Sequence, residues 1–395
     1  MSASPEMQTA AGAARRLAAT AALRACALVF ATALILALAG CAGRPGPEAL
    51  REVAETAPGA RQVTIYVATT RRRQPPDANI FTDGRSEGVA YAEFTISIPP
   101  AHQPGNIEWL GATPDPNAAF VVMRQRVLDK LAFEAEVSRK RGDRKPDIGV
   151  FVHGYDVNFQ EALFRMAQMS ADANFDGVSV LFAWPSEGRV TGYIADKDAV
   201  TFSRDQLVAL LTTLAQKPSV GDVTVVGHSM GAWLTAEALR QLRLTRKDAV
   251  IRRLNVVLAA PDIDVDVFRE QLAVIGPLSP PLTVLVSPDD EALFLSRLVA
   301  DDHARVGALD VSDPRVAEAA RKANVQVIDI STLEATDSLK HNRFVALAAL
   351  YPKFAAEAAS GQGADLRQPG AFVFNAVGAT LSSPFLMVGH AMAGE

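Results

Sequence analysis

Short apolar runs, each bounded by Gly, Pro or charged residues, recur along the chain and predict its strands. "QVTIYVAT" (62–69) and "VAYAEFTISI" (89–98) have strand patterns, and the segment between them, with an arginine run, Pro, Asp and Gly, reads as a loop. Six further runs follow: "DIGVFVHG" (147–154), "GVSVLFAW" (177–184), "DVTVVGH" (222–228), "LNVVLAAP" (254–261), "LTVLVS" (282–287) and "VQVIDI" (325–330). They are almost unbroken Val, Ile, Leu and Phe rather than alternating with polar residues. That is the pattern of strands buried on both faces, so a parallel sheet covered by helices is predicted. Helical periodicity falls between the runs, around 158–172, 198–215, 230–243 and 291–298. The alternation predicts one doubly wound α/β domain over residues 61–355.

The first 40 residues break this rhythm. Arg15, Arg16 and Arg24 precede "ACALVFATALILALAG" (25–40), an apolar run shorter than the roughly 20 residues a spanning helix needs. A basic start with a short apolar core is the layout of a secretory signal, a membrane-anchor helix being the alternative. "LAGC" (38–41) resembles the lipobox of bacterial lipoproteins, which implies removal of 1–40 and lipidation of Cys41. The chain has 2 cysteines, Cys26 and Cys41. Cleavage would leave Cys41 without a disulfide partner, which fits acylation better than oxidation. Ala42 in place of an inner-membrane retention aspartate implies the outer membrane, facing the periplasm. Residues 41–60, rich in Pro, Gly, Ala and Glu, read as a tether. Residues 356–395 form an apolar extension in which Asn375 and Pro384 argue against a spanning helix.

Composition changes this picture little. In 395 residues, 49% hydrophobic and 21% charged supply a sizeable core, and a net charge of −5 without a basic block argues against nucleic acid.

Candidate chemistry centres on "VVGHSMGAWL" (225–234). Gly-x-Ser-x-Gly alone arises by chance in about one chain in seven or eight of this length, so its context decides. Residues 222–226 form the preceding strand. From Met230 a strong helix former follows, with Leu234, Ala238 and Leu242 on one stripe. Strand, Gly-flanked serine and helix make a nucleophile elbow, with Ser229 the candidate nucleophile. In this arrangement the acid and then the histidine follow in chain order. Of the downstream histidines His303, His341 and His390, His341 in "LKHNRF" leads, because a loop after the last strand can return it to the elbow. For the acid, Asp289 and Asp290 follow the strand 282–287, with Asp262 and Asp264 as competitors after the strand before. The D-x-D-x-D spacing from Asp262 is not a calcium loop, since Val267 and Ala273 stand where glycine and glutamate are required. An oxyanion hole needs two backbone amides. Met230, after the nucleophile, and Tyr155, in the early loop "FVHGYD" (151–156), are the candidates. His153 reads as a structural loop histidine. Arginines 71–73 read as a solvated basic loop, with recognition of an acidic group as the alternative. Trp184 either lines a pocket or ends a strand, and Tyr193 and Asp196 carry no signal of their own.

Taken in order, "VATTRRR", "FVHGYDVNFQEAL", "FAWPSEG", "VVGHSMGAW", "LNVVLAAPDIDVDVF" and "SPDDEAL" resemble the bacterial α/β-hydrolases grouped as domain of unknown function 900, over about residues 61–350. The resemblance implies an α/β-hydrolase fold and a Ser229–His341–Asp290 triad. It implies no metal or organic cofactor and leaves the natural substrate open. The expected activity is cleavage of a carboxylic ester or related acyl bond of a small-molecule or lipid substrate, with peptidase and thioesterase activity open. The rival is a non-catalytic envelope lipoprotein that keeps the fold as a binding or assembly module.

Overall fold

The computed structural model describes residues 44–111, 114–140, 144–299 and 303–348. The predicted signal, Cys41 and the extension 356–395 with His390 lie outside the described residues. Among the described residues, nine strands form one sheet in the order β3-β2-β1-β5-β4-β6-β7-β8-β9. They are β1 (Arg61–Arg73), β2 (Phe81–Ile98), β3 (Val121–Leu128), β4 (Ile148–Val152), β5 (Val178–Ala183), β6 (Val223–His228), β7 (Leu254–Ala259), β8 (Leu282–Val286) and β9 (Val325–Asp329). The six apolar runs are β4–β9, all paired in parallel, and β1 joins them in parallel with β5. Of the strand pairs in this sheet, β1–β2 and β2–β3 are antiparallel.

The continuous apolar runs follow from what each face meets. Val256 and Leu258 of β7 enter one core layer, and Val257 and Ala259 the other. The first layer holds α1 (Lys130–Val137), α3 (Tyr193–Gln216), α4 (Met230–Leu244) and α6 (Val265–Ile275). The second holds α2 (Phe159–Asp172), with Phe344 and Val345. The short α5 (Asp248–Ile251) and the peripheral α7 (Glu291–Val299) and α8 (Pro314–Ala323) complete the helices named here. Among the described residues, no helix is long and apolar enough to cross a membrane.

Three expectations need correction. The tether is shorter than residues 41–60, because Ala49 and Leu50 are buried and Val53 N donates to Val122 O at 2.9 Å, docking this segment along β3. Burial of Ala49 and Leu50 and hydrogen bonds between residues 50–53 and β3 outweighed a linker-like composition. The loop between the first two strands contracts to 74–80 as both strands run on. Arginines 71–73 are therefore on β1, not in a solvated loop. Arg71 is only 2% exposed, and its Nη2 donates to Val157 O at 2.8 Å.

One contact in this frame is sensitive to pH. His102, after β2, sits between two carboxylates, with Nδ1 at 2.7 Å from Glu108 and Nε2 at 2.8 Å from Asp172, the last residue of α2. Burial disfavours the charged ring, but hydrogen bonds to Asp172 and Glu108 outweigh it and raise the pKa above its usual value. Because the folded pKa is the higher one, this contribution to stability is complete below about pH 6.5 and is lost as pH rises through the folded value. Urea unfolding of the wild type and His102→Gln should therefore show the largest stability gap at about pH 6, shrinking toward about pH 9. A gap that is constant with pH would contradict this.

Candidate active site

Only Ser229 separates β6 from α4, and it holds φ 55° and ψ −122°. A side-chain-bearing residue adopts such angles at a cost of about 1–3 kcal/mol, so the packing around it must enforce them. That packing leaves no room for side chains on three glycines. A Cβ on Gly227 would lie 2.5 Å from Thr235 Oγ1, one on Gly231 2.3 Å from the carbonyl oxygens of Val152 and His153, and one on Gly154 2.9 Å from Ser229 Cβ. The helix thus presses on β4, and the loop after β4 lies against the serine. Ser229 N donates to Ala259 O at 3.0 Å, which ties the turn to β7.

The later strands deliver the polar partners to the same end of the sheet. Asp290 follows β8, is 2% exposed, and accepts from Leu293 N at 2.9 Å and from His341 Nδ1 at 2.7 Å. His341 rides on the loop after β9. Asp337 accepts its backbone N–H at 3.1 Å and that of Asn342 at 2.8 Å. Its ring lies 4.6 Å from that of His228, the residue before Ser229, and its carbonyl accepts from His228 Nε2 at 3.3 Å. Burial opposes protonation of His341, yet the charges of Asp290, Asp262 and Asp337 and the Asp290 hydrogen bond raise its pKa above the ordinary value. His228 has the opposite balance: burial and the adjacent His341 hold it well below that value, so it stays neutral. Among the described residues no hydrogen bond joins the Ser229 hydroxyl to His341, whose Nδ1 is held by Asp290.

The competing acids and histidine are occupied elsewhere. Asp289 faces Arg343, whose Nη1 and Nη2 reach it at 2.5 and 2.8 Å. That guanidinium, against some burial and with help from Ser287, holds its carboxyl down at about 2. Asp262 accepts from Ser296 Oγ at 2.6 Å and Tyr193 OH at 3.0 Å and pairs with Arg305 at 3.2 Å. Asp264 caps α6 and lies 3.2 Å from the exposed His303. His153 is buried, stacks on Trp184 at 4.9 Å, and is pushed down to about 3 by burial and Arg71, the structural role expected for it. Trp184 is fully buried and donates its indole N–H to His153 O at 2.7 Å, so it supports the loop rather than facing solvent.

Met230 opens α4, and Tyr155 sits in the loop packed on Ser229, its ring edge-on to Tyr193 at 5.3 Å. Sequence reasoning missed several supports. His228 packs between His341 and Phe344, stacked on the latter, Arg343 captures Asp289, and Tyr193 and Asp196 are buried among polar partners. The Gly-His-Ser order offered a signal only for the first.

A strained serine at a strand–helix elbow, with a carboxylate and a histidine supplied after later parallel strands, defines an α/β hydrolase. The model of one family, described as α/β hydrolase of unknown function (DUF900), matches residues 129–357. That is more than half of the chain, and the chain belongs to this family. Three solved structures are similar in outline. A provisionally named hydrolase from Agrobacterium vitis S4 is 12% identical, with a TM-score of 0.30 over 73% of this chain and 96% of that one. Fungal esterases from Rhizomucor miehei give 14%, 0.31, 74% and 85%. MGS-M1, an α/β hydrolase from a Medee basin deep-sea metagenome library, gives 15%, 0.24, 69% and 80%. At these scores the likenesses carry no argument about activity. No protein of curated function matches the chain.

The packing at the elbow has a direct test. Gly231→Ala should destabilise the protein by about 3 kcal/mol, the upper end for overpacking, because backbone carbonyls on both strand and loop must move. Urea unfolding measures it, and an unchanged midpoint would contradict the packing described.

Proposed function

We propose that the chain is a serine hydrolase that cleaves a carboxylic ester or related acyl bond through an acyl-enzyme. The observation that carries this reading is the 2.7 Å contact between buried Asp290 and His341, whose ring abuts the residue preceding strained Ser229. Ser229 Oγ attacks the carbonyl carbon while His341 Nε2 takes its proton, and the tetrahedral intermediate forms. The amides of Tyr155 and Met230 hold the oxyanion. Collapse breaks the carbon–oxygen bond to the leaving group, which takes the proton from His341. Water then attacks the acyl-enzyme with the same base and releases the acid and Ser229. Asp290 holds the Nδ1–H and stabilises the imidazolium throughout. In this reading Cys41 carries the lipid that anchors the enzyme at the periplasmic face of the outer membrane.

Hydrolysis of p-nitrophenyl butyrate by the full chain in detergent tests the reading. Ser229→Ala and His341→Ala should abolish activity above background, and Asp290→Asn should lower kcat by about 10⁴-fold. Neutral His341 is the base, so kcat/KM rises with pH through its raised pKa; loss of the Asp290 charge moves that limb to lower pH. Full activity in Ser229→Ala would sink the proposal, and folded wild-type protein with no hydrolysis above background would return the non-catalytic module.

A further inference from the structure

Asp196 lies in the first turn of α3, is fully buried, and faces no substrate-side group described above. Its two oxygens instead collect two loops. Oδ1 accepts from Glu187 N at 2.7 Å; Oδ2 accepts from Ser186 Oγ at 2.6 Å and from Asp156 N at 3.4 Å. The Ser186 oxygen in turn accepts from Val157 N and Gly188 N, each at 3.3 Å. Four backbone amides, two after β4 and two after β5, thus converge on one carboxylate and one hydroxyl. Asp156 is itself in the left-handed region, φ 57°, and Arg71 Nη2 holds the next carbonyl, Val157 O.

A buried carboxylate is a poor way to add stability, because its desolvation often exceeds what its hydrogen bonds return. Here burial raises the pKa of Asp196 against the pull of Ser186, Glu187, Asp156 and Arg71. Its position explains its use. Tyr155 lies between two fixed peptide planes. The one before it, which carries the Tyr155 N–H, has its carbonyl 2.9 Å from His153 Nδ1 beside Gly154 packed close to Ser229, and the one after it is held at Asp156 N. We propose that Asp196 is a positioning residue, which through Ser186 and directly locks the loop after β4 so that the Tyr155 amide points at the developing oxyanion. This rests on the acyl-transfer reading above, and it assigns to "FAWPSEG" a role in the site without contact to substrate.

The experiment compares Asp196→Asn and the milder Ser186→Ala with wild type on p-nitrophenyl butyrate. It also measures affinity for an alkyl trifluoromethyl ketone, which forms the tetrahedral oxyanion. A misaimed donor lowers kcat by about 10- to 100-fold in Asp196→Asn, with Ser186→Ala falling less. Ketone affinity should weaken by the same factor as kcat/KM, while KM and the pH limb set by His341 stay put. A general loosening would move KM and that limb as well. Wild-type kcat in folded Asp196→Asn overturns the inference. If that variant does not fold, unchanged kcat and ketone affinity in Ser186→Ala overturn it instead. Ser229→Ala is the separating control: if it hydrolyses the ester at the wild-type rate, the acyl-transfer reading fails and Asp196 falls with it. If it is inactive, the outcome belongs to Asp196 alone.

Discussion

The left-handed backbone of Ser229, forced between a strand buried on both faces and a helix packed on that strand, is the constraint on which the rest of the site depends. The turn can hold only because Gly227, Gly231 and Gly154 let three backbone segments approach within van der Waals limits that a Cβ would violate. It is held there by Ser229 N to Ala259 O and by Asp262 N to Ser229 O at 3.3 Å. Strain of this kind persists where surrounding packing over-determines it. The parallel register supplies that packing, aligning Val152 with Gly227 and His228 with Ala259, so that consecutive loops emerge side by side.

Around that turn, similar side chains are driven to different charge states by what they face. Three histidines illustrate it. His153 and His228 are depressed by burial and by positive neighbours, whereas the partly buried His341 faces carboxylates and is raised. Two adjacent aspartates separate in the same way. Asp289 turns to Arg343 and Ser287, and Asp290 turns inward to His341. Arg343 matters twice: its bonds to Asp289 fasten the histidine loop to the acid loop, and its Nε donates to Leu333 O at 3.0 Å within the histidine loop. A single base with a raised pKa at one end of a sheet is a setting suited to proton transfer.

The strands β4–β9 were legible in the sequence because burial on both faces removes polar residues from them. β3 and α1 were not. β3 is an edge strand whose apolar ends flank three consecutive polar residues, Arg124, Gln125 and Arg126, and Arg126 is spent on Glu93 and, at 3.0 Å, on Glu136 of α1. The elbow was legible because its geometry demands glycines at fixed spacing. The choice between Asp289 and Asp290 was not open to spacing, because neighbours on a turn point in different directions and a residue 54 positions away captures one of them. Asp196 was invisible for a related reason. Beside the Ser186 hydroxyl, its partners are backbone amides on two other loops, and backbone leaves no trace in a sequence.

Fluorophosphonate labelling of the full chain in detergent, with the modified residue located by mass spectrometry, tests most directly whether the elbow serine is an activated nucleophile. The account predicts one adduct, on Ser229, that disappears in folded His341→Ala. Folded wild-type protein left unlabelled at Ser229, or labelled equally well without His341, would contradict it.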